Sequence, residues 1–133
     1  MKIFDNVLAK YTLDAEAYTA DTTGTDYVDT KGFDDAMLLV AAGDIGTGAG
    51  DVYTITVKEC DTTNGTYTTT GFAVTFNHDD DNELRTVRIP NLNTTRKRYL
   101  RADLTGSATT KAWEGAAIIL LGDAQSAPVT QDS

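Results

Sequence analysis

The chain has 133 residues, a mass of 14.3 kDa and a formal charge of −9, with 11 basic against 20 acidic residues. This length predicts a single domain, and the acidic balance excludes nucleic acid as an expected partner, because phosphate contacts need an excess of Lys and Arg. No apolar run reaches the roughly 20 residues of a membrane span, so we expect no membrane partner. The single cysteine excludes an internal disulfide framework.

Apolar residues alternate with a period of two along most of the chain, which predicts β-strands and no sustained helix. In chain order, weaker strands are predicted over 3–8 and 27–29, and strong ones over 36–41, 52–60, 72–76, 85–89, 98–104 and 113–121. The segment 36–41 (AMLLVA) is apolar on both faces, which predicts a central strand.

The 23 threonines favour the same fold class, because a β-branched side chain suits the half-buried surface of a sheet. We therefore predict an all-β protein, an antiparallel β-sandwich or jelly roll. The domain is predicted to fill residues 1–122, and the polar segment 123–133 is predicted to be a mobile C-terminal tail.

Residues able to perform nucleophilic catalysis are sparse. The one histidine, His78, lies in an acidic run, whereas a catalytic His must be partly buried and oriented. Cys60 has no His near it in sequence, so the pattern predicts an ordinary small side chain. We expect no enzyme, no catalytic residues and no cofactor.

The segment 78–83 (HDDDNE) concentrates oxygen ligands of the kind that calcium prefers. It lacks the glycine and the glutamate at the positions that an EF-hand loop requires. The sequence leaves open whether this loop is an acidic hairpin tip or a calcium site, and our expectation is that it holds no metal.

Charge is distributed unevenly along the chain. Residues 1–84 sum to −12 and residues 85–133 sum to +3. The basic residues Arg96, Arg98 and Arg101 predict a protein interface that meets an acidic surface, which could belong to a second copy. The alternative is a hydrated strand edge of mixed sign.

The N-terminal segment 1–13 is the second candidate interface. Its apolar residues Ile3, Phe4, Val7 and Leu8 could form an edge strand of the domain or reach a neighbouring subunit. The segment does not have the pattern of a signal peptide, so we expect assembly in the cytoplasm.

The order of five segments is similar to that in a known family. They are MKIFDNVLAK (1–10), YVDTKGFDDAMLLVAAG (27–43), ECDTTNGTY (59–67), NTTRKRYLRADLT (93–105) and GAAIILLGDAQSAP (115–128). The chain resembles the capsid decoration (cement) proteins of tailed bacteriophages. The resemblance implies a β-sandwich or jelly-roll subunit that binds the major capsid protein on the exterior of the virion, as a homotrimer at three-fold positions. It implies no catalytic residue.

Another class of function stays open. A carbohydrate- or cell-surface-binding β-sandwich module exposes aromatic residues on a face or a loop. The aromatic residues that could serve here are Tyr11, Tyr18, Tyr27, Tyr67 and Trp113.

Overall fold

The computed structural model describes residues 2–46 and 48–125. Within these ranges the chain forms one short helix followed by eight strands. They are α1 (Ile3–Asn6), β1 (Leu8–Tyr18), β2 (Val28–Asp29), β3 (Phe33–Ile45), β4 (Val52–Cys60), β5 (Thr68–Asn77), β6 (Leu84–Ile89), β7 (Tyr99–Gly106) and β8 (Trp113–Ala124).

The strands form two antiparallel sheets of four strands each. Sheet A has the order β1-β8-β3-β6 and sheet B the order β2-β7-β4-β5. The first strand pairs with the last, β2 with β7, β3 with β6, and β4 with β5. This nested pairing is that of one long antiparallel ribbon folded over itself, as in an eight-stranded jelly roll. The predicted all-β antiparallel sandwich is confirmed.

The core lies between the inner faces of the two sheets. Its largest side chains are Trp113, Tyr53 and Phe76, and the Trp113 ring lies 6.0 Å from that of Phe76. The Tyr53 hydroxyl reaches the end of the sandwich, where it accepts a hydrogen bond from the Ala112 N–H at 2.9 Å. Because side chains alternate along a strand, filling the core this way fixes which residues face outward on each sheet.

The N-terminal segment differs from its prediction. The predicted strand over 3–8 is wrong, because Ile3–Asn6 forms a helical turn in which the Val7 N–H donates to the Ile3 carbonyl at 2.9 Å. Strand β1 begins at Leu8 and extends to Tyr18. Two register shifts against β8 interrupt the alternation of β1, which is why the period-two pattern did not reveal most of this strand.

The C-terminal end of the domain lies further along the chain than predicted. Strand β8 continues to Ala124, so the predicted boundary after residue 122 falls inside a strand. Gln125 follows it, and its N–H donates to the Gly32 carbonyl at 2.9 Å. The rest of the predicted tail, residues 126–133, lies outside the described residues.

Among the described residues, no helix has the length and apolar character needed to cross a membrane.

Candidate interaction surface

The outer side of sheet A carries a continuous apolar surface. Leu39 on β3 is the register partner of Ile118 on β8, and both alternate with core residues. On the edge strands, Ala9 and Tyr11 of β1 and Leu84 of β6 extend this surface, whereas Thr86 and Arg88 of β6 lie on the same side and are polar. We call this surface the outer apolar face; it consists of Ala9, Tyr11, Met37, Leu39, Ala41, Leu84, Ala116, Ile118 and Leu120.

The outer apolar face is accessible to solvent in the single chain. Tyr11 is 50% exposed and Leu84 is 64% exposed, while Leu39 and Ile118 between them are half-buried. From strand spacing and residue rise, the face covers roughly 15 Å by 15 Å. This area, roughly 200 Å², is within the range that monomeric soluble proteins expose. The face is the best candidate for contact with another protein because large apolar side chains of all four strands of sheet A adjoin there.

The outer side of sheet B has the opposite character. On this side its central strands β4 and β7 carry threonines and charged residues, and the charged residues pair with one another. Asp103 accepts hydrogen bonds from the Arg101 guanidinium at 2.8 and 3.0 Å, and Lys58 Nζ lies 3.4 Å from the same carboxylate. The protein thus presents one apolar sheet and one polar sheet to its surroundings.

A groove of about 350 Å³ lies at one end of the outer apolar face, beside the N-terminal segment. We call it the end groove. Its walls are mostly apolar, and an ion pair between Asp35 and Arg88, 3.1 Å long, lies at its edge. The residues that line it are Val7, Asp35, Ala36, Met37, Arg88, Leu120, Leu121 and Gly122.

The structure separates the apolar residues predicted as an N-terminal interface. Ile3 and Phe4 lie on α1 and are 72% and 73% exposed. Val7 lines the end groove, and Leu8 packs against the core as the first residue of β1. Only the first two therefore project from the domain.

The basic residues predicted as an interface form ion pairs within the chain. The Arg98 guanidinium donates two hydrogen bonds of 2.8 Å to Asp29, which lowers the pKa of that carboxyl and raises the pKa of Arg98. Arg96 lies 3.6 Å from the buried Glu59, and Arg101 binds Asp103. These pairs belong to sheet B and its loops, whereas Leu8 belongs to sheet A and Val7 to the end groove beside it.

The acidic loop 78–83 is organised by hydrogen bonds within the chain. Asp81 accepts one from the Ile45 N–H at 2.8 Å, and Asp80 accepts one from the Asn77 N–H at 2.7 Å. Asp80 and Glu83 both pair with Arg85. Over residues 2–46 and 48–125, no three or more His, Cys, Asp or Glu residues form a group that could hold a metal ion.

The hydroxyl of Ser107, one of the chain's three serines, and the thiol of Cys60 also have structural partners. Ser107 Oγ accepts a hydrogen bond from the Val52 N–H at 2.9 Å. Cys60 is buried, and a hydrogen bond from the Thr62 N–H lowers the pKa of its thiol. Ser126 and Ser133 lie outside the described residues.

Two of the aromatic residues considered for carbohydrate binding belong to the core. Trp113 is 1% exposed and Tyr18 is 5% exposed; burial raises the pKa of Tyr18 to about 12. Tyr27 packs edge-on against Tyr99, with ring centres 5.3 Å apart. These two rings lie together with Tyr67 at the outer side of sheet B.

Sequence reasoning missed the centre of the candidate surface. Met37, Leu39, Ile118 and Leu120 were predicted only as strand residues. The signal was present in AMLLVA and AAIILL, which are apolar on both sides of a strand. The second apolar side was assigned to burial within the domain, whereas in this chain it faces outward.

No protein-family model matches the chain, and a comparison with curated proteins also gives no match. Among solved structures, the chain is similar to dimeric latent PorU from Porphyromonas gingivalis, at 14% sequence identity and a TM-score of 0.43. The match covers 90% of this chain and 12% of that chain. At this identity and TM-score the likeness supports no conclusion about function.

Proposed function

We propose that this protein is a structural virion protein that binds the exterior of a phage capsid shell and stabilises it. Its partner is the major capsid protein, and it acts as a homotrimer at three-fold positions. The observation that carries the proposal is the outer apolar face, a sheet surface that the chain's own described residues leave open to solvent.

The difference between the two sheets supports this orientation. A protein bound flat on a shell needs one side that excludes water against its partner and one side that stays hydrated. The outer apolar face has the first property, and the threonines and ion pairs of sheet B have the second. The charge of −9 disfavours aggregation of the unbound subunit.

Stabilisation follows from binding to a repeated lattice. A ligand that binds only the native shell stabilises it by mass action. Contacts with several shell subunits at once add through multivalency, so each one can be modest. A β-sandwich with an apolar outer sheet can supply such contacts without a cofactor.

The test is binding of the purified protein to undecorated, expanded capsids, followed by cryo-electron microscopy and by thermal melting of the shell. We expect density outside the shell, contact through the outer apolar face and a higher melting temperature. The absence of external density after incubation with excess protein would refute the proposal.

A matched pair of variants tests which sheet makes the contact. Leu84→Asp adds a charge at an exposed position of the outer apolar face, on edge strand β6. Thr75→Asp adds the same charge at an exposed position of sheet B, on edge strand β5. We expect the first variant to weaken capsid binding by about tenfold or more, since it places a charge against buried apolar surface. The second variant should bind as the wild type does.

A second candidate function is binding of a carbohydrate or another cell-surface ligand. It is favoured by the cluster of Tyr27, Tyr67 and Tyr99 on sheet B, where the Arg101 guanidinium stacks 4.1 Å from the Tyr67 ring centre. Half-exposed aromatic rings beside polar groups suit a sugar ligand. A glycan array probed with the wild type and with Tyr27→Ala tests it, and an array without binders would refute it.

A further inference from the structure

The short helix α1 has the features of a docking segment. None of its residues is buried, yet it carries Ile3 and Phe4, each more than 70% exposed. Exposure of two large apolar side chains on one turn is unfavourable in water, at about 25 cal/mol per Å² of apolar surface. A binding partner that covers this turn would remove that cost.

The end groove offers a complementary receptor on the same molecule. It is mostly apolar, with Met37 and Leu120 in its walls, and its volume of about 350 Å³ is of the size that accepts bulky side chains. Val7, the residue that follows α1, forms part of its wall. The groove and the helix therefore adjoin, but the helix of the same chain does not bury its side chains there.

Charge at the two surfaces is also complementary. The apolar pair on α1 is flanked by Lys2 on one side and Asp5 on the other. The groove is flanked by Asp35 and Arg88, which pair with each other at 3.1 Å, and the Arg88 side chain is 73% exposed. A helix seated in the groove with its Asp5 toward Arg88 and its Lys2 toward Asp35 would replace that ion pair with two pairs between the chains.

Adjacent complementary surfaces favour assembly between identical chains. Phe4 is three residues from Val7, so at most about 11 Å of chain separates it from the groove wall. A rotation axis that passes close to this site brings the helix of one copy to the groove of the next. Each copy then inserts its own α1 into one neighbour and accepts the α1 of another in its end groove.

We propose that copies of this chain associate by seating α1 of one copy in the end groove of the next, with Phe4 as the anchor. This inference rests on the self-association that the proposed function includes, and it names the surfaces responsible. The remainder of the outer apolar face stays available to the shell.

The decisive test is disulfide trapping between two different chains in which Cys60→Ser removes the native thiol. One chain carries Phe4→Cys and the other carries Met37→Cys. After mild oxidation of the mixture, we expect the disulfide-linked pair of the two variants as the major product. A mixture of Leu84→Cys with Met37→Cys is the control, since Leu84 lies on the same face but not on α1, and it should give little linked product.

Three results would overturn the inference. The first is a main product in which two Phe4→Cys chains are linked to each other, since α1 of one copy would then contact α1 of the other and not its end groove. The second is an equal yield from the Leu84→Cys control, since the trapping would then be random. The third is an internal disulfide in a monomeric chain carrying both substitutions, since α1 would then occupy its own groove.

Light scattering gives an independent measurement. We expect Phe4→Ser to raise the dissociation constant of self-association by about tenfold or more, because a large apolar side chain is lost from the contact. Capsid binding is measured separately on the same samples. A wild-type chain that is monomeric yet binds capsids refutes the inference and leaves shell binding intact, whereas an assembled chain that binds no capsid refutes shell binding alone.

Discussion

Leu39 on β3 and Ile118 on β8 are register partners on the two central strands of sheet A, and both side chains lie on its outer side. Their neighbours in sequence, Leu38 and Ile119, are also register partners, and both are fully buried in the core. Two adjacent strands are thus apolar on both sides, although the chain covers only one side. The outer pair has no role in the core, which is why we assign it to a partner.

The pair Leu38 and Leu39 gives a direct test of this assignment. Leu38→Ala should lower the free energy of unfolding by about 2–5 kcal/mol, because it leaves a cavity in the core. Leu39→Ala should lower it by much less and should instead weaken capsid binding. Chemical denaturation and capsid co-sedimentation of both variants provide the measurements. Equal destabilisation by the two substitutions would contradict the assignment.

Truncation separates the two parts of the N-terminal segment. Deleting residues 2–6 removes α1, which buries no side chain, so the domain should keep its cooperative unfolding transition. Deleting residues 2–13 also removes half of β1, including Leu13, which is 0% exposed, and should prevent stable folding. Circular dichroism during thermal melting distinguishes the two cases. Unfolding of the shorter deletion would mean that α1 supports the domain itself.

Gly115 on β8 is predicted to tolerate no side chain. A Cβ at this position would lie 2.3 Å from the Ala41 carbonyl oxygen and 2.7 Å from the Trp113 ring. We expect Gly115→Ala to destabilise the fold by about 1–3 kcal/mol, because backbone and a buried indole must move. Gly46→Ala is the control, since its Cβ would meet only Ala112 Cβ at 3.9 Å. Similar melting temperatures for both variants would argue against this packing.

The Asp29–Arg98 pair makes stability depend on pH in the acid range. The pKa of Asp29 is lowered from its ordinary value of 3.8, chiefly by the hydrogen bonds from Arg98. A carboxyl with a lowered folded-state pKa stabilises the fold above its unfolded pKa, and this contribution is lost as the pH falls through the folded pKa. The melting-temperature difference between wild type and Asp29→Asn should therefore be present at pH 6 and shrink below about pH 4. A constant difference would contradict the pair's contribution.

Substitution of the basic residues should affect folding to different degrees. Arg101→Gln removes the main partner of Asp103, whose side chain is 7% exposed, and should cost about 1–3 kcal/mol of stability. Arg98→Gln breaks a pair whose two side chains are 45% and 42% exposed, so its effect should be smaller. Denaturant titration of both variants checks the order. The comparison also matters for assembly assays, because a loss of binding in Arg101→Gln must be corrected for unfolded protein.

The sequence was sufficient to predict the fold class, the six strong strands and the short strand β2. The strong strands were predictable because alternation with period two indicates which side of a strand faces water. It was insufficient for the N-terminal region, where bulges in β1 disrupt that alternation. It also could not reveal that Arg98 pairs with Asp29, which lies 69 residues away in the chain and becomes adjacent only through the pairing of β2 with β7.

The sequence by itself determined that this chain forms strands, that its core is built from alternate apolar residues, and that segment 36–41 is apolar on both sides. Only the tertiary structure decided what covers the second side. Sheet B packs against one side of sheet A, and no described element packs over the other. The physical reason is that the hydrophobic effect is not directional. A hydrophobic pattern indicates that a side chain is to be shielded from water, but not whether the same chain or another one shields it.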